Sequence, residues 1–273
     1  MTAGLVIVVL AASCGGGSDG GAAPTTAPAG TTDGTAAAST TASAPGATTT
    51  AAATTTTQAP TTTGASVITT PPGAPPATGT TSCTSVVHIG DSTSVGLISP
   101  AYLQDASQRI DTQYERVGAT DQHLEISGAR SIVETLPGQV NAHDTAAKLK
   151  AAGFDGCWVF ALGTTDTANV AVGSSITRAS RIDSMMAIAG DDPVLWVDVK
   201  TLVPSGAWSN TQMQTWNQTL HDAQAKYPNL KIYDWASIVQ DPWFSSDRIH
   251  YTSAGYAERA RLIADALAAA YPA

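Results

Sequence analysis

Two short stretches hold residue types whose spacing could do chemistry: Gly90-Asp91-Ser92 and, near the other end of the chain, Asp247-Arg248-Ile249-His250. Ser92 follows an apolar run and precedes a helix expected to start near Thr93, so its hydroxyl would sit beside backbone N–H groups able to hold an oxyanion. Alone, the tripeptide reads equally as a turn with an N-cap. The second stretch adds weight. A carboxylate three residues before an imidazole can reach it across one turn and fix its tautomer, leaving the other ring nitrogen to take a proton from a serine. The elbow Gly-x-Ser-x-Gly is absent, because Ser94 stands two residues after Ser92.

Other candidates are weaker. His88 lies inside an apolar run and reads as a core histidine. His123, His143 and His221 show no metal-ligand spacing with one another or with cysteine, so neither a metal nor a cofactor is expected. Of the tryptophans, Trp243 is the one expected near the site, as a sugar-stacking surface, because it precedes Asp247 by four residues. Arg130 reads as a solvated surface residue or as a contact to an anionic substrate group.

These residues need elements to position them. From Cys83 onward, short apolar runs alternate with longer amphipathic ones, the pattern of a parallel sheet with helical crossovers. Strands are expected at Val86–Ile89, His123–Ser127, Trp158–Leu162, Val194–Val197 and Lys231–Tyr233. Helices are expected at His143–Ala152, Ser174–Ala189, Asn210–Ala225 and Ser253–Ala270. The fold class is therefore α/β, three layers with a five-stranded parallel sheet. Ligands in such sheets sit beyond the carboxyl ends of the strands, where Ser92, Gly128, Thr165 and the stretch from Asp234 to His250 all fall.

Composition bounds the rest. The 273 residues carry no Lys or Arg before Arg109, and all six Trp and all seven Tyr follow Cys83. One folded domain, 83–273, is expected. It holds thirteen basic against twenty acidic residues, and no basic cluster, so nucleic acid is not an expected partner. Leu5 to Leu10 is too short to span a bilayer and fits the apolar stretch of a secretion signal, 1–13. Ala12-Ser13-Cys14-Gly15 resembles the end of a bacterial lipoprotein signal, which implies lipidation of Cys14 and a membrane anchor. Residues 14–82 are nearly all Thr, Ala, Pro, Gly and Ser, with Val67 and Ile68 the only large aliphatics, and read as a disordered tether. Its r.m.s. span would be on the order of 40–50 Å. The chain is expected outside the cytoplasmic membrane, on its outer face or in the cell wall.

With Cys14 assigned to lipid, Cys83 and Cys157 remain. Each sits at the start of an expected strand; parallel neighbouring strands would bring them side by side as a disulfide, and two free buried thiols are the alternative.

The domain resembles the SGNH (GDSL-type) hydrolase family over residues 85–270, on Ile89-Gly90-Asp91-Ser92, on Gly128 within Ile126-Ser127-Gly128-Ala129-Arg130-Ser131, and on Asp247-x-x-His250. The likeness is nearest to the SGNH domains of bacterial cell-surface O-acetyltransferases and esterases. It implies a flavodoxin-like sheet, catalytic Ser92, Asp247 and His250, and an oxyanion hole of Ser92, Gly128 and the third family block. That block is normally Gly-x-Asn-Asp and here reads Gly163-Thr164-Thr165-Asp166, which puts Thr165, helped by water or Asn169, in place of an amide donor. The implied activity is a serine esterase acting on an acylated cell-envelope glycan or another ester. An O-acyltransferase using the same site and a non-catalytic glycan-binding lipoprotein stay open; hydrolysis is preferred over transfer because the sequence shows no multi-spanning segment to supply an activated donor.

Overall fold

The computed structural model describes residues 67–273. The expected signal segment, Cys14 and most of the tether lie outside the described residues.

Six parallel strands form one sheet: β1 (Val67–Ile68), β2 (Ser85–Gly90), β3 (Asp121–Ile126), β4 (Cys157–Ala161), β5 (Val194–Val197) and β6 (Leu230–Tyr233), in the spatial order β1-β6-β5-β4-β2-β3. The five strands expected from sequence are β2 to β6, and their order is the flavodoxin-like one. The sixth strand corrects the count. Val67 and Ile68 pair with Ile232 and Tyr233, and the Asp234 amide donates to the Ile68 carbonyl.

The tether boundary expected at Ser82 is corrected with it. Residues between Val67 and Ser82 are tied to the domain: the Ala77 amide donates to Asp265, Arg116 reaches the Ala77 carbonyl, and Thr81 is buried against the Leu267 and Tyr271 carbonyls. A Thr/Pro/Gly-rich composition fails to show this because most of these contacts are made by polar groups, the Ala77 backbone and the Thr81 hydroxyl, rather than by large apolar side chains.

The helices are α1 (Ile110–Arg116), α2 (Ala142–Ala151), α3 (Thr164–Ala171), α4 (Arg178–Ala189), α5 (Asn210–Ala223), the one-turn α6 (Trp235–Ile238) and α7 (Ser253–Ala270). Ser253–Ala270 and Val194–Val197 fall where expected; α1, α3 and α6 were not expected. Two apolar layers fill the space on the sheet's two faces. One gathers Val86, Val159, Leu195 and Tyr233 with Leu262, Ile263 and Leu267 of α7, and the other gathers Val87, Ile89, Trp158, Phe160 and Trp196 with Met185, Met186 and Trp216. The alternation of Val86 and Val87 between these layers is the strand period of two.

Cys83 and Cys157 form a disulfide, with Cα atoms 5.6 Å apart. The register explains it: Val86 of β2 faces Cys157 at the start of β4, so the two cysteines meet at the amino end of neighbouring strands.

Candidate active site

All the expected site residues follow the carboxyl ends of strands. Gly90 pairs with Ile126 on one side and Ala161 on the other, and the amides of Ser127 and Asp91 donate to Gly90 and Ala161. Ser92 and Gly128 therefore stand two residues beyond a shared register line, and Thr165 four residues beyond it.

After β2 the chain turns directly into a 3-10 helix, Ser92–Leu97. Asp91 caps it, accepting from the Thr93 amide at 2.9 Å and the Thr93 hydroxyl at 2.7 Å. Gly90 is required by close approach, because a Cβ there would lie 2.6 Å from the Ser94 Cβ. Burial raises the pKa of the Asp91 carboxyl, against the hydrogen bonds from Thr93. Asp91 is thus a structural residue of the turn, and Ser92 is left at its edge, half-buried.

The partner loop lies between a short 3-10 turn, Asp241–Trp243, and α7. A bridge between Phe244 and Tyr251 closes its base, and the Ser245 amide donates to the His250 carbonyl at 2.8 Å. Inside it, Asp247 Oδ1 accepts from the amides of Ile249 and His250, each at 2.9 Å, and from the Ser245 hydroxyl at 2.7 Å. Its second oxygen faces the imidazole. His250 Nδ1 donates to Asp247 Oδ2 at 2.6 Å, and the Ser92 hydroxyl donates to His250 Nε2 at 2.8 Å. A carboxylate can only accept, so the proton belongs on Nδ1 and Nε2 is the base. Partial burial opposes ionisation of Asp247, but the four donors aimed at it hold its carboxyl well below the usual range.

Ala129 and Arg248 are the non-glycine residues with left-handed backbone among the described residues, at φ 54° and 64°. One flanks Gly128 and the other lies between Asp247 and His250. Strain of this kind persists only where surrounding contacts fix the loop.

The third loop begins at Gly163, whose φ of 133° and whose approach to the Trp216 indole, 2.4 Å from an added Cβ, leave room for no other residue. Thr165 is buried in the first turn of α3, and its hydroxyl has no partner among the described residues. Next to it, Asp166 Oδ1 accepts from the Ser131 hydroxyl at 2.8 Å, the Ile132 amide at 2.9 Å and Arg181 at 2.8 Å. Burial pushes Asp166 up to about 6, with Arg181 and the hydrogen bonds opposing. Arg181, wholly buried, also holds Glu134 and Ser174. This network locks the Gly128 loop to α3. Its signal in the sequence was Arg181 itself, a charge at a core-facing position four residues before Met185; Glu134, in a loop, gave none.

No family model matches the chain, and no curated protein matches it. Solved structures do. The crystal structure of a carbohydrate acetylesterase family member from Sinorhizobium meliloti aligns at a TM-score of 0.51 and 16% identity, over 67% of this chain and 94% of that one. The C-terminal catalytic domain of Streptococcus pneumoniae peptidoglycan O-acetyltransferase A aligns at 0.50 and 15%, over 68% and 93%. An aryl esterase of M. smegmatis aligns at 0.50 and 16%, over 66% and 96%. The fold is the one these structures share, in keeping with the α/β fold that the sequence resemblance implies.

At the site itself some expectations change. Asn169 donates to Glu134 at 3.0 Å and so is committed to the network rather than to an oxyanion. Arg130 is not solvated: it is 8% exposed, folded back onto the Glu125 carbonyl. Trp243 is half-buried, with its ring stacked on Trp235 at 5.9 Å and its carbonyl accepting from the Thr252 amide; it supports the turn into α7. His88 is a core residue, bonded through Nδ1 to the Tyr114 hydroxyl at 2.8 Å. Among the described residues no three His, Cys, Asp or Glu side chains gather as a metal site.

Proposed function

We propose that the chain is an exported serine esterase that removes O-acetyl or other short acyl groups from a cell-envelope glycan. The observation that carries the chemistry is the unbroken relay from the Ser92 hydroxyl through His250 to Asp247. His250 Nε2 takes the Ser92 proton as Oγ attacks the acyl carbonyl, and Asp247 stabilises the imidazolium. The oxyanion is held by the Ser92 and Gly128 amides and the unpartnered Thr165 hydroxyl. Collapse breaks the ester bond, His250 returns the proton to the departing sugar oxygen, and water releases the acyl group in a second round.

Two SGNH-fold neighbours, a carbohydrate acetylesterase and a peptidoglycan O-acetyltransferase domain, support a glycan ester as substrate. The second also supports acyl transfer to a sugar hydroxyl. Hydrolysis is the reading preferred, with the His250 and Asp247 side chains, 35% and 48% exposed, open to solvent. Export and anchoring are supported by the apolar run and Cys14 at the start of the sequence.

Turnover of p-nitrophenyl acetate by the full chain and by its Ser92→Ala variant tests the reading. Turnover that disappears in the variant is expected. A wild-type chain without turnover, or a variant that keeps it, would contradict the proposal.

A further inference from the structure

A cavity of about 350 Å³ opens beside the Gly128 loop, walled by Glu125, Ser127, Arg130, Gln139, Thr145 and Lys148 among others. That is within the size range of small-ligand sites, about 300–1,000 Å³. It shares a wall with the oxyanion loop, because Gln139 donates its side-chain amide to the Gly128 carbonyl at 2.9 Å.

Arg130 is what makes this cavity unusual. Buried cations in proteins are paired, since desolvating a lone charge is costly. Of the other two buried arginines, Arg181 obeys this through Asp166 and Glu134, whereas Arg259 also lacks a carboxylate and has two unpartnered nitrogens, but is packed in the core over the rings of Trp235 and Tyr251 at 4.8 and 5.2 Å rather than on a cavity wall. Arg130 has one backbone carbonyl, and its buried Nε has no partner among the described residues. Burial presses its pKa down, and the Glu125 charge only partly offsets this.

We infer that this cavity is a subsite for a carboxylate borne by the acylated glycan, with Arg130 as its buried anchor and Lys148 at its exposed rim. The position of that carboxylate, next to the oxyanion loop, rests on the esterase reading; the anion site itself does not. Two cations against Glu125 leave one net positive charge on the wall, which suits a monoanion better than a phosphate dianion. A planar carboxylate also matches the guanidinium fork.

Calorimetric titration of the full chain with sodium glucuronate, glucose and inorganic phosphate tests this. Glucuronate is expected to bind at least about tenfold more tightly than glucose, with Arg130→Gln abolishing the preference and Arg130→Lys restoring part of it. If Arg130→Gln does not fold, Lys148→Gln, on the rim, is expected to weaken glucuronate by a smaller factor. Equal affinity for glucuronate and glucose, a preference unchanged in the variants, or tighter binding of phosphate would overturn the assignment. Glucuronate preference without any p-nitrophenyl acetate turnover would overturn the esterase reading alone, and turnover without preference would overturn the subsite alone.

Discussion

Asp166, in the first turn of α3, and Ser131, in the loop after β3, meet at 2.8 Å, and the same Asp166 oxygen accepts the Ile132 amide. The start of α3 thus fixes the loop that carries Gly128. Asp166→Ala would leave buried Arg181 with Glu134 as its one carboxylate partner. The expected loss is about 3–5 kcal/mol in urea unfolding, with a lower kcat in whatever fraction stays folded.

Thr165 separates catalysis from stability. Its hydroxyl is buried without a partner, so Thr165→Val, of nearly the same shape, should leave the unfolding free energy unchanged or higher. Turnover should fall, by up to about 10²–10³ if the hydroxyl is a full oxyanion donor. Thr165→Asn should fold and raise turnover. Steady-state kinetics beside urea unfolding checks both, and a Thr165→Asn variant slower than wild type would show that threonine is adapted to the substrate.

His88 sets an acid limit on stability. Burial, with a smaller push from Arg259, lowers its pKa from 6.5 to about 3. The unfolded chain binds a proton there below pH 6.5 and the folded chain does not until about pH 3, so this contribution is present above pH 6.5 and lost as pH falls. Between pH 6.5 and 5 the loss is about 2 kcal/mol. Replacing both hydrogen-bonded partners, His88→Leu with Tyr114→Phe, should flatten the stability profile in that interval, as read by urea unfolding at a series of pH values.

The domain should need its first strand. A chain beginning at Cys83 loses the β1 pairing to β6 and the Ala77 contacts to Asp265 and Arg116. It is expected to unfold at a lower urea concentration than one beginning at Val67. Equal midpoints would return residues 67–82 to the tether.

Much of this was legible in the sequence, for physical reasons. Strands buried on both faces read as continuous apolar runs, as in Trp158–Leu162, and α7 repeats its apolar residues at helical spacing. The relay was legible because Asp247 and His250 are local in sequence and Ser92 follows a strand end. What stayed hidden depends on distant partners. The first strand pairs only two residues, Val67 and Ile68, with β6. The short α3, Thr-rich and opened by a left-handed Gly163, has little intrinsic helical preference. Burial of Arg130 and engagement of Asn169 by Glu134 follow from loop packing that no periodicity encodes.

In this mechanism Ser92 is a nucleophile activated by His250. Intact-mass measurement after incubation with a fluorophosphonate, followed by peptide mapping, tests it most directly. One adduct on Ser92 is expected in the wild-type chain, and none in Ser92→Ala or, on the same timescale, in His250→Ala. An unmodified wild-type protein, or an adduct on another residue, would contradict a nucleophilic Ser92.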